Sequence, residues 1–506
     1  MDSIKILSQA DFLLPIIVAV FLVYIFSAFT KRSKDSIPHV RGWPIFGSAS
    51  KVFSCPSMFA LTNRQRHGSK FYCKVMNSDW LFLCDPLDIK IVCSASEKAV
   101  SLLDGYRDLA GFVLPLDKNL NTYPTEVRAK LDNWTTSASP HIAFSVRPNV
   151  IKGWISIVRK VVRDTLADLP DGTDQRVDLF DYCRIAISGV TTMLMMGEDA
   201  FQNATFLKKW IDLFAEADVE KGFSDPTSAL TTLLEVIIFG ERRIYQRIRA
   251  LLYPMIDKEI EDIIAGKETT TDHPSAMASI VRFRYEREFN KNADFLRLAR
   301  TRIANDIFSF SFAAFSNSFG GAAWVLYHIL KDTQGTGTRV RDDIASSSPD
   351  EIPQSLHNCV LEVTRLYNPG NMIRKVKQPL TLADGTIVQP GVTLAVNTFI
   401  IGRTGYDNPL RFDPDRFARG EHKENCFLGF GMGSHPCVGK NFAMLEICVL
   451  VQECLAFGFQ LAPREVERRE PLMNECIDIM DHPNLTPNQS TFLWRPSKPV
   501  FLLYDK

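Results

Sequence analysis

The sequence predicts a mostly α-helical domain with small β-sheets on one side, preceded by one N-terminal transmembrane helix. Three observations predict this. From about 150 to 345, apolar residues recur at three- and four-residue spacing, the pattern of helices with one buried face. Strand-like runs are few and short, at Lys70–Met76, Leu81–Cys84 and Gly385–Leu394. Residues 12–29 carry no charge at all. From residue 48 onward there is no internal repeat, linker or charge block, so the body of this 506-residue chain reads as one large domain.

Composition excludes several classes. The 58 basic and 58 acidic residues cancel, which argues against a broad basic surface and hence against a nucleic-acid partner. Hydrophobic residues at 46% and charged residues at 23% are ordinary for a globular chain and disfavour disorder. None of the 11 cysteines has a partner at zinc-knuckle or zinc-finger spacing. Most are expected to be reduced, small, buried hydrophobes.

At the N-terminus, Phe12–Phe29 as a helix would span ~27 Å, close to a bilayer's hydrocarbon core. Lys31, Arg32 and Lys34 follow at once, while the preceding flank is near neutral. The positive-inside rule then places residues 1–11 in the lumen, the anchor at 12–30, and the rest in the cytosol. A cleaved signal peptide is disfavoured because the charge lies on the wrong flank and no small-residue cleavage site follows. Residues 31–47 contain Pro38, Gly42, Pro44 and Gly47 and read as a stiff connector. The single large domain is expected over 48–506. The sequons at Asn133, Asn203, Asn484 and Asn488 should be unused on the cytosolic side.

No proline occurs between Pro274 and Pro349, and this window predicts one long helix over roughly 296–330. It is apolar nearly all round from Ile307 to Phe319, so it should run through the centre of the domain. Ser309, Ser311, Ser316, Asn317 and Ser318 interrupt it; they are either satisfied core groups or a site.

The segment Phe430-Gly431-Met432-Gly433-Ser434-His435-Pro436-Cys437-Val438-Gly439 is turn-forming, and a proline-free helix pattern runs from Val438 to Phe457. Cys437 therefore stands at a helix N-terminus, where the dipole and free amides are expected to lower the thiol pKa and favour thiolate. Thiolate is a ligand for iron. Gly433 and Gly439 would let a flat macrocycle approach the backbone. A dinucleotide fingerprint fails here because Pro436 takes the sixth position. A phosphate loop fails because Gly439-Lys440 has neither the upstream Gly nor the following Ser/Thr.

The Phe430–Gly439 segment resembles the haem-binding signature F-x-x-G-x-x-x-C-x-G of the cytochrome P450 family. Glu362-Val363-Thr364-Arg365 resembles that family's E-x-x-R, and Pro414-Asp415-Arg416-Phe417 its P-E-R-F element. Order and spacing are the family's. The resemblance implies the cytochrome P450 fold and haem b, with Cys437 as the axial thiolate of the iron. It implies a buried triad of Glu362, Arg365 and Arg416 that braces the cysteine loop. Glu362 and Arg365, three apart on a helix, share one face and can pair. His435 and Arg374 are the candidate partners of the haem propionates, with Phe430, Gly433 and Gly439 in the loop. The family's early W-x-x-x-R contact is not recognisable around Trp134; Arg128 and Lys130 lie nearby.

The central helix departs from the family pattern. Aligned on Trp324, the usual acid becomes Ser316 and the usual alcohol becomes Asn317. In most members that pair passes protons during O–O cleavage. An Asn at this place, and nine residues from Arg365 to Arg374, resemble the branch that holds prostacyclin synthase and the bile-acid-forming sterol hydroxylases. That branch contains both an isomerase and monooxygenases.

The first functional reading is a haem-thiolate monooxygenase of the endoplasmic reticulum membrane, oxidising a lipophilic small molecule. Asn317, with water and Ser316 or Ser318, would relay protons. Electrons would come from NADPH-cytochrome P450 reductase, since the chain has no flavin or nicotinamide fingerprint. Lys440, Arg419 and Lys423 form either its docking patch or a solvated face. The second reading is an isomerase of a peroxide or oxygenated lipid, which needs neither reductase nor acid. The third is a haem sensor or carrier without turnover. Candidate pocket residues are Phe112, Val113, Leu114, Phe315, Met372 and Ile373. Divergence from housekeeping sterol enzymes points to specialised metabolite biosynthesis.

Overall fold

The computed structural model describes residues 37–43, 47–54, 56–76, 78–109, 115, 125, 148–217, 226–267, 275–332, 335–368, 370–409, 411–421, 426–467 and 499–506. The anchor at 12–30, the pocket candidates Phe112, Val113 and Leu114, and Arg128, Lys130 and Trp134 lie outside the described residues.

Strands are β1 His39–Val40, β2 Lys70–Val75, β3 Ser78–Leu83, β4 Val100–Ser101, β5 Gln175–Asp178, β6 Asn371–Val376, β7 Leu380–Thr381, β8 Ile387–Val388, β9 Thr393–Asn397, β10 Gln460–Leu461 and β11 Phe501–Tyr504. Among the described residues they form a six-stranded sheet in the order β1-β2-β3-β9-β6-β4, a three-stranded sheet β10-β11-β5, and the pair β7-β8. The β2–β3 hairpin runs in register from Lys70 opposite Leu83 to Val75 opposite Ser78.

The sequence placed a hairpin over Gly385–Leu394; the structure moves it upstream. Thr381 faces Ile387 across a turn that contains Asp384 and Gly385, where Gly385 takes φ +85°, a conformation that costs glycine little. Thr393–Asn397 instead pairs with β3 and β6. Its five residues are all buried, so the run reads as a central strand and not as a hairpin arm. The connector is also shorter than expected. His39 and Val40 lie opposite Tyr72 and Cys73, so the folded domain begins before residue 48.

The helices that position the site are α1 Pro86–Ser94, α2 Leu102–Arg107, α3 Trp154–Ala167, α4 Leu179–Met196, α5 Pro226–Phe239, α6 Arg243–Ile264, α7 Arg300–Lys331, α8 Gln354–Tyr367 and α9 Lys440–Phe457. The expected helix at 296–330 is split at Ala299 from a short preceding helix, Ala293–Leu298, which Asn292 caps through the amides of Asp294 and Phe295. From Gly320 to Tyr327 every residue of α7 is buried. Helix α4 is long and apolar enough to cross a membrane, but most of it is buried inside the domain, as expected of a core helix.

Aromatic contacts lock α7 to its neighbours. Trp324 stacks on Tyr367 of α8 at 4.1 Å and meets Phe180 of α4 edge-on at 5.2 Å. His328 shares a 2.8 Å hydrogen bond with the Tyr367 hydroxyl and stacks on Phe412 at 4.1 Å. Burial, followed by the nearby Lys331 charge, pushes the His328 pKa down to about 3, so this histidine is neutral. Arg159 and Arg163 of α3 each donate to Glu453 of α9 at 2.7 Å.

Candidate active site

Two segments carry the site: the loop that delivers Cys437 to α9, and the buried pairs that hold this loop against α8. Glu362 is fully buried and accepts two 2.8 Å bonds from Arg365, one on each oxygen. Arg416 adds a 3.0 Å bond, and the Asp413 amide a 2.9 Å bond. Arg365 also donates to the carbonyls of Gly402 and Pro409, both at 2.7 Å. Both guanidiniums lie over the Tyr406 ring. A buried ion pair tolerates its desolvation only when its hydrogen-bonding groups are this well matched. The triad thus ties α8 to the 402–416 segment. Gly429 then begins the cysteine loop directly against the Thr364 side chain.

Within the loop, the Cys437 amide donates to the Phe430 carbonyl at 2.7 Å, which closes the turn. Gly431 and Gly433 take φ +69° and +68°. Gly433, a candidate for cofactor approach, also has a packing reason to be glycine. A Cβ on Gly433 would stand 2.0 Å from the Cys93 carbonyl of α1, the same carbonyl that accepts from the Ser434 amide. Gly439 has open space beside it and fits the approach of a flat ligand. Lys440 lies over the Phe430 ring at 5.7 Å.

Cys437 is exposed, unlike the other described cysteines. Its sulfur accepts from the amides of Gly439 and Lys440. Burial of the sulfur raises the thiol pKa; these two amides and the Lys440 charge lower it, and burial wins. The expectation of a lowered pKa is therefore corrected. The helix terminus pulls in the expected direction but does not form the thiolate alone. A bound cation is what would complete the deprotonation.

His435 shares a 2.9 Å hydrogen bond with Glu97. That carboxylate also accepts from the Ser101 hydroxyl and the amides of Leu102 and Leu103 at the start of α2. Burial pushes the Glu97 carboxyl up, but these four partners outweigh it and hold it below its ordinary value. Nothing in the sequence pairs residues 97 and 435, and Glu97 was missed for that reason. Arg374 on β6 is buried and donates to the Ile373 carbonyl at 2.9 Å. Its charge acts on Cys93 and Tyr106.

On α7, Ala313 and Asn317 are exposed one turn apart, and the Asn317 amide donates to the Ala313 carbonyl at 2.9 Å. Ser316 and Ser318 are buried. Ser318 turns to α9, where its hydroxyl hydrogen-bonds Glu446. Phe315, a candidate for the pocket wall, is buried and packs in an aromatic cluster with Phe214 and Phe319, both at 5.1 Å. Ile373 is buried and Met372 half-buried on β6.

The family description of cytochrome P450 matches residues 37–485. The chain belongs to the cytochrome P450 family. Members hold haem iron on a cysteine thiolate, and the residues here fit that group: an exposed cysteine, two amides upon its sulfur, open space at Gly439, and Arg374 and His435 as cationic or donor side chains. This P450 is 31% identical over 179 residues to cytochrome P450 4A24 of Sus scrofa, covering 33% of this chain and 35% of that one. The identity and coverage are the same for the pig taurochenodeoxycholic 6 alpha-hydroxylase. Human cytochrome P450 4F2 is 28% identical over 203 residues, covering 36% and 38%. The matched part thus spans about a third of these relatives' length. The retinoic acid-bound cyanobacterial CYP120A1 shares the fold, with TM-score 0.67 at 17% identity over 92% of this chain and 98% of that one.

Proposed function

We propose that this P450 is a haem-thiolate monooxygenase that oxidises a lipophilic small molecule with O2 and electrons from NADPH-cytochrome P450 reductase. The observation that carries the reading is Cys437: exposed, at the head of α9, with two backbone amides on its sulfur. Haem bound there would supply O2 activation, with the thiolate donating electron density to the iron. The protein does the rest. Amides of Gly439 and Lys440 tune that donation. The Glu362 triad holds the loop, and Arg374 with His435 would anchor the propionates. Asn317 offers an amide on the exposed side of α7, where it would orient water and pass protons.

Two relatives support an amphipathic lipid as substrate. One is named for hydroxylating a conjugated bile acid, and the fold neighbour holds retinoic acid. Met372 and Ile373 on β6 are the described candidates for contact with such a molecule. The uncharged Phe12–Phe29 segment and its basic flank support a single-pass anchor in the endoplasmic reticulum membrane, with the domain in the cytosol. Specialised metabolite biosynthesis is the proposed setting, tested by comparing metabolites of deletion and wild-type strains.

One observation favours an isomerase instead: the exposed face of α7 offers Asn317 and Ala313 but no titratable acid. The test uses purified protein with reductase. The monooxygenase reading expects a red-shifted CO band that Cys437→Ser abolishes, and NADPH use stimulated by the lipophilic substrate. Turnover of a hydroperoxide without NADPH would instead establish the isomerase.

A further inference from the structure

Gly433, Ser434 and His435 of the cysteine loop lie along the stretch that follows α1. A Cβ on Gly433 would meet the Cys93 carbonyl, the Ser434 amide donates to that same carbonyl at 3.1 Å, and the Ser434 hydroxyl donates to the Ala95 carbonyl at 3.4 Å. His435 then reaches Glu97 at 2.9 Å. Glu97 stands in a turn that the Ala99 and Val100 amides close on the Ser96 carbonyl, both at 2.9 Å. The Ala99 carbonyl accepts in turn from the Lys377 amide, just past β6, at 2.8 Å. Both Glu97 oxygens are used. Oε1 accepts from the Ser101 hydroxyl at 2.6 Å and the Leu103 amide at 3.2 Å; Oε2 accepts from the Leu102 amide at 3.0 Å and meets His435 Nε2. These partners keep Glu97 ionised, and an ionised carboxylate only accepts. The His435 ring therefore carries a hydrogen on Nε2, and Nδ1 is the nitrogen left for a propionate or its water.

Glu97 and His435 are both half-buried, and a pair exposed to this degree adds little stability. Its effect is on direction. A carboxylate on one nitrogen of an imidazole fixes the plane of the ring and which nitrogen faces away. The other propionate candidate leans on the same stretch. The Arg374 charge acts on Cys93 and Tyr106, and Gly105 of α2 packs so closely on β6 that a Cβ would stand 3.3 Å from the Arg374 backbone. We propose that Glu97 is a positioning residue for the haem: it holds the His435 ring for a propionate and fastens the cysteine loop to the start of α2. Glu97 acts through His435, and no bond is made or broken in this role. The inference rests on the haem-thiolate reading of Cys437. It holds for a monooxygenase and an isomerase alike, since both need the haem seated.

The experiment uses the haem-loaded full chain and the variants Glu97→Ala, Glu97→Gln, His435→Ala, Ser101→Ala and the Glu97→Ala/His435→Ala double variant. Haem loss is read by transfer to excess apomyoglobin, and the iron potential by spectroelectrochemical titration. Glu97→Ala should release haem about tenfold faster than the wild type, the usual scale for removing the partner that orients a contact residue. Glu97→Gln, which keeps an acceptor oxygen, should recover part of that loss. The double variant should lose haem no faster than His435→Ala alone, because the two residues act in series. Ser101→Ala loosens the cap of α2 but leaves the His435 bond, and should lose haem at the wild-type rate. Removing the Glu97 charge should raise the potential, and removing His435 should lower it. Should Glu97→Ala fail to fold, Glu97→Gln and its potential carry the test. If the wild type gives no thiolate CO band, the haem-thiolate reading fails and takes this inference with it. If the band is normal and the Glu97 variants match the wild type in haem loss and potential, the positioning role is overturned and the haem reading stands. If the losses of Glu97→Ala and His435→Ala add in full, or Ser101→Ala loses haem as fast as Glu97→Ala, Glu97 only caps α2 and the proposal is overturned as well.

Discussion

Two buried carboxyls, Glu362 and Glu446, show how partners decide what an acid does. Among the described residues, Glu362 meets two guanidiniums and an amide, and Glu446 meets one hydroxyl. Removing the first strands two buried cations. Glu362→Ala should cost ~3–5 kcal/mol and release haem, read as an earlier urea midpoint and a lost CO band. Glu362→Asp, whose carboxylate falls short, should be only partly better. The second acid gives a pH effect of definite sign. Its folded pKa, about 8, lies above the unfolded value, so the native state holds a proton that the unfolded chain releases. The stabilisation is complete below the unfolded pKa and is lost as pH rises through about 8. Melting temperatures of the wild type should therefore fall more steeply across that window than those of Glu446→Gln. Equal slopes would mean the carboxyl is not neutral. The Glu362–Arg365 pair was legible because both ends lie within one helical turn. Glu446 left a fainter mark, one acid in an apolar run, which shows cost but not the partner.

At the scale of elements, the cysteine loop is shaped by what it packs on. Gly433 combines φ +68° with a carbonyl 2.0 Å from where a Cβ would go. Gly433→Ala must move either the loop or the end of α1, and is expected to lower haem occupancy severely. Gly439 has a negative φ and no neighbour within reach, so Gly439→Ala should fold normally and change only the haem spectrum. The CO band and melting temperature of the two variants separate these outcomes; equal damage from both would contradict the division of roles. The motif showed that glycines were needed but not why, since Cys93 lies 340 positions from Gly433. The hairpin misplacement has a similar cause. The Gly385 turn was visible, but β9 pairs with β3 and β6, and only the assembled sheet shows that its residues are all buried.

For the whole molecule, periodicity and motif order carried the fold well, because α7 and α9 are long and their burial is nearly continuous. Long-range choices, such as which face of α7 stays exposed, depended on packing: Phe315 is buried in stacking contact with Phe214, which lies about a hundred positions away in the chain. Helix α5 adds a feature that burial alone would not predict. Leu230, Leu234, Ile237, Ile238 and Phe239 are exposed on it, with Ile237 and Ile238 at 67% each. An apolar patch of this kind promotes association in water. Removing residues 1–36 leaves every described core residue in place, so the shortened chain should bind haem and give the CO band. It should still need detergent, because α5 remains apolar. Adding Ile237→Glu and Ile238→Glu should make it monodisperse without detergent and leave its melting temperature nearly unchanged, since neither side chain is in the core. Light scattering and size-exclusion chromatography read this directly. A shortened chain that is already monodisperse would show that the N-terminal segment alone drives association. A double variant that loses haem would show that α5 packs more closely on the domain than its exposure indicates.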